Sequence, residues 1–211
     1  MARSAARIGF AICTSRKPQA NPQIANFVVD TSKDTSVEGS GGIEPSLNPT
    51  NLQEYTLPFF DESEVPSRNT DHAKYDHAPT RAWSEETQSY DAFIFVTLQC
   101  NWGYPAVLKN AIEFLYHKGK GKPGMIVSYG GHGGGKCNAR LSQVLCGVHM
   151  APTNKDVELA FPGRNFMVRA ARGMQFDLDG ASCSGVWGVE RKNISKAFAE
   201  QTDLLSANAS S

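Results

Sequence analysis

Two stretches of apolar chain that run straight into polar or glycine-rich loops constrain this sequence most. Asp91-Ala-Phe-Ile-Phe-Val-Thr97 has the composition of a buried strand. It leads into Leu98-Gln-Cys-Asn-Trp-Gly103, and residues 105–116 then place Val107, Leu108, Ala111, Ile112 and Leu115 along one helical side. Lys122-Pro-Gly-Met-Ile-Val-Ser128 starts the pattern again, followed by Ser128-Tyr-Gly-Gly-His-Gly-Gly-Gly135 and a helix over residues 134–149. Strand and helix in alternation predict an α/β fold with a parallel central sheet. In such a sheet the loops after the strands gather at the carboxyl edge, where ligands bind.

The remaining chain extends this scheme. Arg7-Ile-Gly-Phe-Ala-Ile-Cys13 reads as a first buried strand. Asn21-Pro22 then reads as a helix start, with Asn as N-cap and Pro at the first helical position, and Ile24, Ala25, Phe27 and Val28 as its buried stripe. Residues 31–51 turn to Ser, Gly, Pro, Thr and Asp and read as a low-complexity loop, with a weak second strand near residues 52–57. Residues 58–79 form a long loop of the kind that is functional or disordered. A short helix over residues 80–89, a short fifth strand within residues 152–160 and a terminal helix over residues 189–205 complete the reading. The 211 residues are expected to form a single domain with a C-terminal extension over residues 175–211.

Composition excludes several function classes. Lys and Arg number 21 and Asp and Glu number 21, which leaves no basic footprint for nucleic acid or for an anionic membrane. No apolar run approaches the ~18 residues that span a bilayer. The run Ile8 to Cys13 is too short for a signal peptide, so a soluble, cytoplasmic protein is expected. Cys13, Cys100, Cys137, Cys146 and Cys183 are odd in number and show no CxxC spacing, which argues against disulfides. Neither they nor the histidines show zinc-like spacing, so no metal is expected. In the cytosol, the sequons at Asn193 and Asn208 are silent.

Three loops hold the candidate chemistry. Thr14-Ser-Arg-Lys-Pro-Gln-Ala-Asn21 brings hydroxyls, a cation and a helix N-terminus together, which is the chemistry of a phosphate site; an ordinary polar connection between strand and helix reads the same way. It has no GxGxxG, so a dinucleotide fingerprint is missing. The second loop offers the amide edges of Gln99 and Asn101 and the apolar slab of Trp102, unless Trp102 is a plain packing residue. The third has five glycines, which let a backbone approach a ring closely and aim N–H groups at negative charge. Gly130-xxxx-Gly135-Lys136 nearly completes a P-loop, but Cys137 stands where a magnesium-binding Ser or Thr belongs. Together the loops suit a flat polar ligand held largely by main chain, and a flavin fits that description.

These residues resemble the NADPH-dependent FMN reductase family of the flavodoxin-like superfamily, a group that includes soluble quinone, chromate and azo-dye reductases. The resemblance lies in the run from Asp91 through Gln99-Cys-Asn-Trp-Gly-Tyr-Pro to Ile112, in Gly121-Lys-Pro-Gly-Met-Ile-Val-Ser-Tyr-Gly-Gly-His-Gly-Gly, and in Cys13-Thr-Ser-Arg-Lys-Pro-Gln-Ala-Asn. It implies three layers, with a five-stranded parallel sheet in flavodoxin order and helices on both faces. It further implies that Thr14, Ser15, Arg16, Gln19 and Asn21 form the FMN phosphate loop, and that Leu98, Gln99, Cys100, Asn101 and Trp102 line the isoalloxazine. Ser128, Gly130, Gly131 and His132 fall along its other edge. The chain departs from the family pattern at Cys13, Leu98, Cys100 and Gly119, where glycine, proline, tyrosine and tryptophan are usual.

The activity implied is that of an oxidoreductase passing hydride from NADPH through bound FMN to a small-molecule acceptor such as a quinone or free flavin. The flavin carries the chemistry, so no catalytic side chain is expected, in keeping with the absence of any Ser/His/Asp or Cys/His grouping. His132 either helps stabilise negative charge on the reduced ring or faces solvent. The resemblance also implies a homodimer or homotetramer. A non-catalytic electron carrier or redox-sensing module is the alternative, although such carriers are strongly acidic and this chain is neutral. A homologue that keeps the fold without flavin is a third reading.

Overall fold

The computed structural model describes residues 5–39, 45–178 and 185–208. Its strands are β1 (Arg7–Ile12), β2 (Ser46–Asn51), β3 (Ala92–Leu98), β4 (Pro123–Gly130), β5 (Ala151–Pro152) and β6 (Val157–Ala160). All the pairings are parallel, in the order β2-β1-β3-β4-β5, and β6 also pairs with β4. β5 lies beside Pro123 and Gly124, and β6 beside Val127 to Gly130, so the expected fifth strand is one position in the sheet broken in two. This is the flavodoxin-like order.

Side-chain alternation sorts the sheet into two cores. Ile8, Phe10, Ile94, Val96, Met125, Val127 and Tyr129 face one side, under α1 (Asn21–Gly39) and α7 (Gly188–Asn208). Ala11, Phe93, Phe95 and Ile126 face the other, under α3 (Ala78–Gln88), α4 (Ala106–Glu113) and α5 (Gly135–Gly147). Gly9 belongs to this second side. A Cβ there would lie 2.4 Å from the Tyr90 ring, so only glycine lets that ring cover β1. None of the described helices is long and apolar enough to cross a membrane.

The structure corrects the reading of residues 31–51. α1 continues to Gly39, and Ser46–Asn51 is the edge strand β2; residues 40–44 lie outside the described ones. The helix survives its polar sequence because Thr31, Ser32 and Thr35 donate their hydroxyls to the carbonyls of Phe27, Val28 and Thr31 one turn back. It is also tied to α7, through Thr35 to the Ser195 hydroxyl and through the Arg191 guanidinium over the Phe27 ring at 4.6 Å. β2 holds Pro49, which an edge position tolerates. The expected strand near residues 52–57 is instead the short helix α2 (Leu52–Tyr55), capped by the Asn51 side chain.

The long loop of residues 58–79 is pinned against α4 and the turn that follows it. Asn110 donates to the Pro58 carbonyl at 2.7 Å and accepts from the Phe60 amide, and Lys118 donates to the Thr70 carbonyl at 2.8 Å. Within the C-terminal stretch, residues 179–184 and 209–211 lie outside the described ones. α7 closes the first core and sends buried Gln201 to the Phe93 carbonyl at 2.7 Å.

Candidate functional site

A cleft of about 200 Å³ opens at the carboxyl edge of the sheet. Thr14, Arg16, Gln19 and Ala20 supply one side from the β1–α1 loop. Leu98 and Tyr129 form the floor from the ends of β3 and β4, and Gly131 comes from the glycine loop. The opposite wall is Phe161 together with Met167, Ala170 and Ala171 of α6 (Arg164–Ala171), a helix the sequence reading lacked. Residues expected from three separate loops therefore meet in one place, with a fourth element over them.

Strand parity decides which of the expected residues face this cleft. Leu98 and Tyr129 continue the side of Ile94, Val96, Met125 and Val127, beneath α1. Their neighbours point the other way, since successive side chains alternate. Gln99 turns to α5, where its side-chain oxygen accepts the Lys136 amide at 3.1 Å. Ser128 is fully buried and donates to the carbonyls of Gly133 and Val157, at 3.2 and 3.3 Å. Both hold the glycine loop in place rather than line the cleft. Gly134 wraps over Ser128 with φ of 95°, and a Cβ there would be 2.8 Å from that of Ser128, so glycine is required.

The rest of the second loop is a tight turn. Cys100 and Gly103 exchange backbone hydrogen bonds at 2.8 and 3.0 Å, and Asn101 and Trp102 between them adopt φ of 46° and 67°. Cys100, Asn101 and Trp102 stand at the surface, with Trp102 65% exposed, so Trp102 is no core residue. Gly131 and His132 are exposed at the tip of the third loop, next to partly buried Gly130.

The first loop is buried at its two ends, at Thr14 and at Ala20 and Asn21, and exposed from Ser15 to Pro18. Thr14 is buried and accepts the Arg16 amide on its hydroxyl at 3.2 Å. Ser15 is exposed. Asn21 does not cap α1 as expected. The first turn of the helix closes instead on the Ala20 carbonyl, and the buried Asn21 amide donates to the Val96 carbonyl at 3.2 Å. Asn21 thus fastens α1 to β3. Its Oδ1, and the Oε1 of cleft-lining Gln19, are buried without a partner among the described residues.

Two thiols sit beneath the loops. Burial pushes Cys13 well above the ordinary thiol range, and burial pushes Cys137 up to about 12. Burial likewise raises Tyr129. All three are neutral at physiological pH, which leaves the cleft without a thiolate nucleophile. Among the described residues no group of His, Cys, Asp and Glu could hold a metal.

The residues fit FMN. Arg16 reaches the cleft beside backbone at a helix N-terminus, the donor set a phosphate needs. The orphaned acceptor of Gln19 calls for a hydroxyl donor, which a ribityl chain carries. Complete small-molecule sites measure roughly 300–1,000 Å³, so a cleft of about 200 Å³ holds part of such a ligand.

Comparison with known proteins agrees with the fold and with the flavin. Residues 7–163 match the family described as NADPH-dependent FMN reductase. The NAD(P)H-dependent FMN reductase LOT6 of Saccharomyces cerevisiae is 38% identical over 149 residues, covering 68% of this chain and 75% of the relative. An NAD(P)H-dependent FMN reductase of Schizosaccharomyces pombe is 45% identical over 104 residues, covering 48% of this chain and 51% of the relative. Among solved structures, an oxidoreductase from Corynebacterium diphtheriae superposes with a TM-score of 0.66 at 14% identity, covering 97% of this chain and 99% of its own, and so shares the fold. The chain belongs to the NADPH-dependent FMN reductase family, oxidoreductases with FMN as flavin and NAD(P)H as electron donor.

Proposed function

We propose that the chain binds FMN in the cleft between the β1–α1 loop and α6 and uses it to oxidise NAD(P)H, with a quinone or free flavin as acceptor. The observation that carries this reading is the meeting of Thr14, Arg16 and Gln19 with Leu98 and Gly131 around one cleft. Bound FMN supplies the hydride relay from NAD(P)H to the acceptor. The protein's share is binding and electrostatics. Arg16, the loop backbone and the α1 N-terminus take the phosphate, with Thr14 bracing the loop from below. Leu98 and Tyr129 give the ligand an apolar bed that excludes water. Exposed Asn101, Trp102, Gly131 and His132 would supply main-chain contacts at the rim, where N–H donors would favour negative charge on a bound flavin. Gln99 and Ser128 act from behind, by fixing the glycine loop. The open side of Trp102 admits acceptors of varied shape. The protein works as a homodimer in the cytoplasm.

The test is spectroscopic. Protein loaded with FMN should lose its visible flavin absorption when NADPH is added without oxygen, and recover it on adding a quinone. Retention of the absorption after NADPH would reject the reductase reading. Bleaching with no recovery on a quinone, but recovery on free flavin, would reject the quinone as acceptor.

A further inference from the structure

The C-terminal end of α6 makes a contact that the loops named so far do not account for. A helix leaves its last four carbonyls without intrahelical partners. Here the Val168 carbonyl takes the Arg172 amide at 3.1 Å, the Ala170 carbonyl takes the Gly173 amide at 3.1 Å, and the Arg169 carbonyl takes the Met174 amide at 3.0 Å. The last two bonds form a Schellman motif, with Gly173 at φ of 63°. The remaining carbonyl, that of Ala171, is taken by the Arg16 guanidinium at 2.8 Å, across 155 residues of chain. The same guanidinium also donates to the Pro18 carbonyl at 3.1 Å.

We propose that α6 is a positioning element for flavin recognition: its end holds the Arg16 guanidinium ready for the FMN phosphate and so sets a preference for FMN over unphosphorylated riboflavin. This rests on the reading of the β1–α1 loop as the phosphate site. A guanidinium has five N–H donors, and the two carbonyls use two of them, which leaves donors for an anion in the cleft that Arg16 lines. A cation at a helix C-terminus is also favoured by the helix dipole.

The support itself is firmly held. Gly173 packs on the loop so closely that a Cβ would lie 2.9 Å from Pro18 Cβ and 3.2 Å from the Gln19 amide nitrogen. Gln23 of α1 grips the segment just beyond, donating to the Met174 carbonyl at 3.1 Å and accepting the Phe176 amide at 2.8 Å. Phe166 stacks on Phe176 at 4.4 Å and meets Trp187 edge-on, and the Trp187 indole is fixed to the Ala160 carbonyl at 2.7 Å. Holding one long side chain in its binding conformation removes an ordering cost equivalent to about 2- to 10-fold in affinity.

The experiment titrates the full apo chain with FMN and, separately, riboflavin, following quenching of flavin fluorescence. Arg16→Ala should weaken FMN about 10- to 100-fold, the range for a charge-assisted hydrogen bond, and leave riboflavin unchanged. Gly173→Val pushes the end of α6 off the loop. It should weaken FMN about 10-fold, spare riboflavin, and add nothing when combined with Arg16→Ala. Gln23→Ala, a milder change that guards against misfolding of the first variant, should move FMN about 2- to 3-fold in the same direction. If Arg16→Ala acts selectively on FMN while Gly173→Val and Gln23→Ala do not, α6 is merely a wall and the proposal fails. Equal losses of FMN and riboflavin in those two variants would also overturn it, as the mark of a structural role. Should Arg16→Ala itself show no selectivity, the phosphate-site reading falls, and this inference with it.

Discussion

The carboxyl edge of the sheet is built differently at the cleft and at the turn of residues 100–103, which lies outside the cleft's lining. At the cleft the β1–α1 loop lies under α6, with Thr14 and Asn21 buried and Arg16 tied to two carbonyls. The turn projects into solvent, with Trp102 65% exposed and Asn101 and Trp102 in the left-handed region. The first is made rigid before any ligand arrives, which suits a fixed group such as a phosphate. The second keeps its apolar surface accessible, which suits partners that come and go. A resident tail and a transient acceptor make those opposite demands of one sheet edge.

The widest effect expected is one that reaches two of the loops together. Cys13 follows the last residue of β1 under the first loop, and Cys137 sits in the first turn of α5 under the glycine loop. Their thiols are raised by burial, Cys137 to about 12 from an ordinary value of 9.0. A raised folded-state value stabilises fully below pH 9 and is lost as pH rises from there toward 12. For Cys137 alone the loss reaches ~4 kcal/mol. Urea midpoints at pH 8, 9 and 10 should fall steadily, and Cys137→Ala should flatten the fall. An unchanged profile in that variant would mean the thiol does not carry it.

The second effect sharpens the contrast. Phe166→Ala removes the ring that joins α6 to Phe161, Phe176 and Trp187, at a cost of about 2–3 kcal/mol given its partial burial. FMN affinity should drop with it, since the cleft loses its wall. Lost stability with intact FMN affinity would break the link between α6 and the first loop. The smallest effect belongs to the turn. Trp102→Ala should change stability by less than about 0.5 kcal/mol, as for other surface positions, while raising KM for a bulky acceptor. A large loss of stability would show that the turn is as structural as the first loop.

Legibility in the sequence followed the same division between local and long-range causes. β1, β3 and β4 are readable because each is an unbroken local run of apolar residues, and α4 because its apolar residues recur along one side. β2 is not, because Ser46-Leu-Asn-Pro-Thr-Asn51 has little strand propensity and is held by its pairing with β1. The second half of α1 was hidden by Ser and Thr, whose hydroxyls here bond back to the helix itself. Of the residues expected at the site, Thr14, Arg16, Gln19, Leu98 and Gly131 line one cleft. The side chains of Ser128 and Gln99 point away from the cleft by one step of parity, for the residues that line it are their neighbours Tyr129 and Leu98. α6 left a weak trace in Gly173 and in the arginines before it, the marks of a helix end. No local pattern could say that its last carbonyl meets Arg16.

The central claim, that the β1–α1 side of the cleft is a phosphate site, is tested most directly by calorimetric titration of the unmodified apo protein with FMN and with riboflavin in phosphate-free buffer. FMN should bind about 10- to 100-fold more tightly, the contribution of one charge-assisted contact, and the advantage should shrink as inorganic phosphate is added. Equal affinity for the two flavins, indifferent to phosphate, would contradict it.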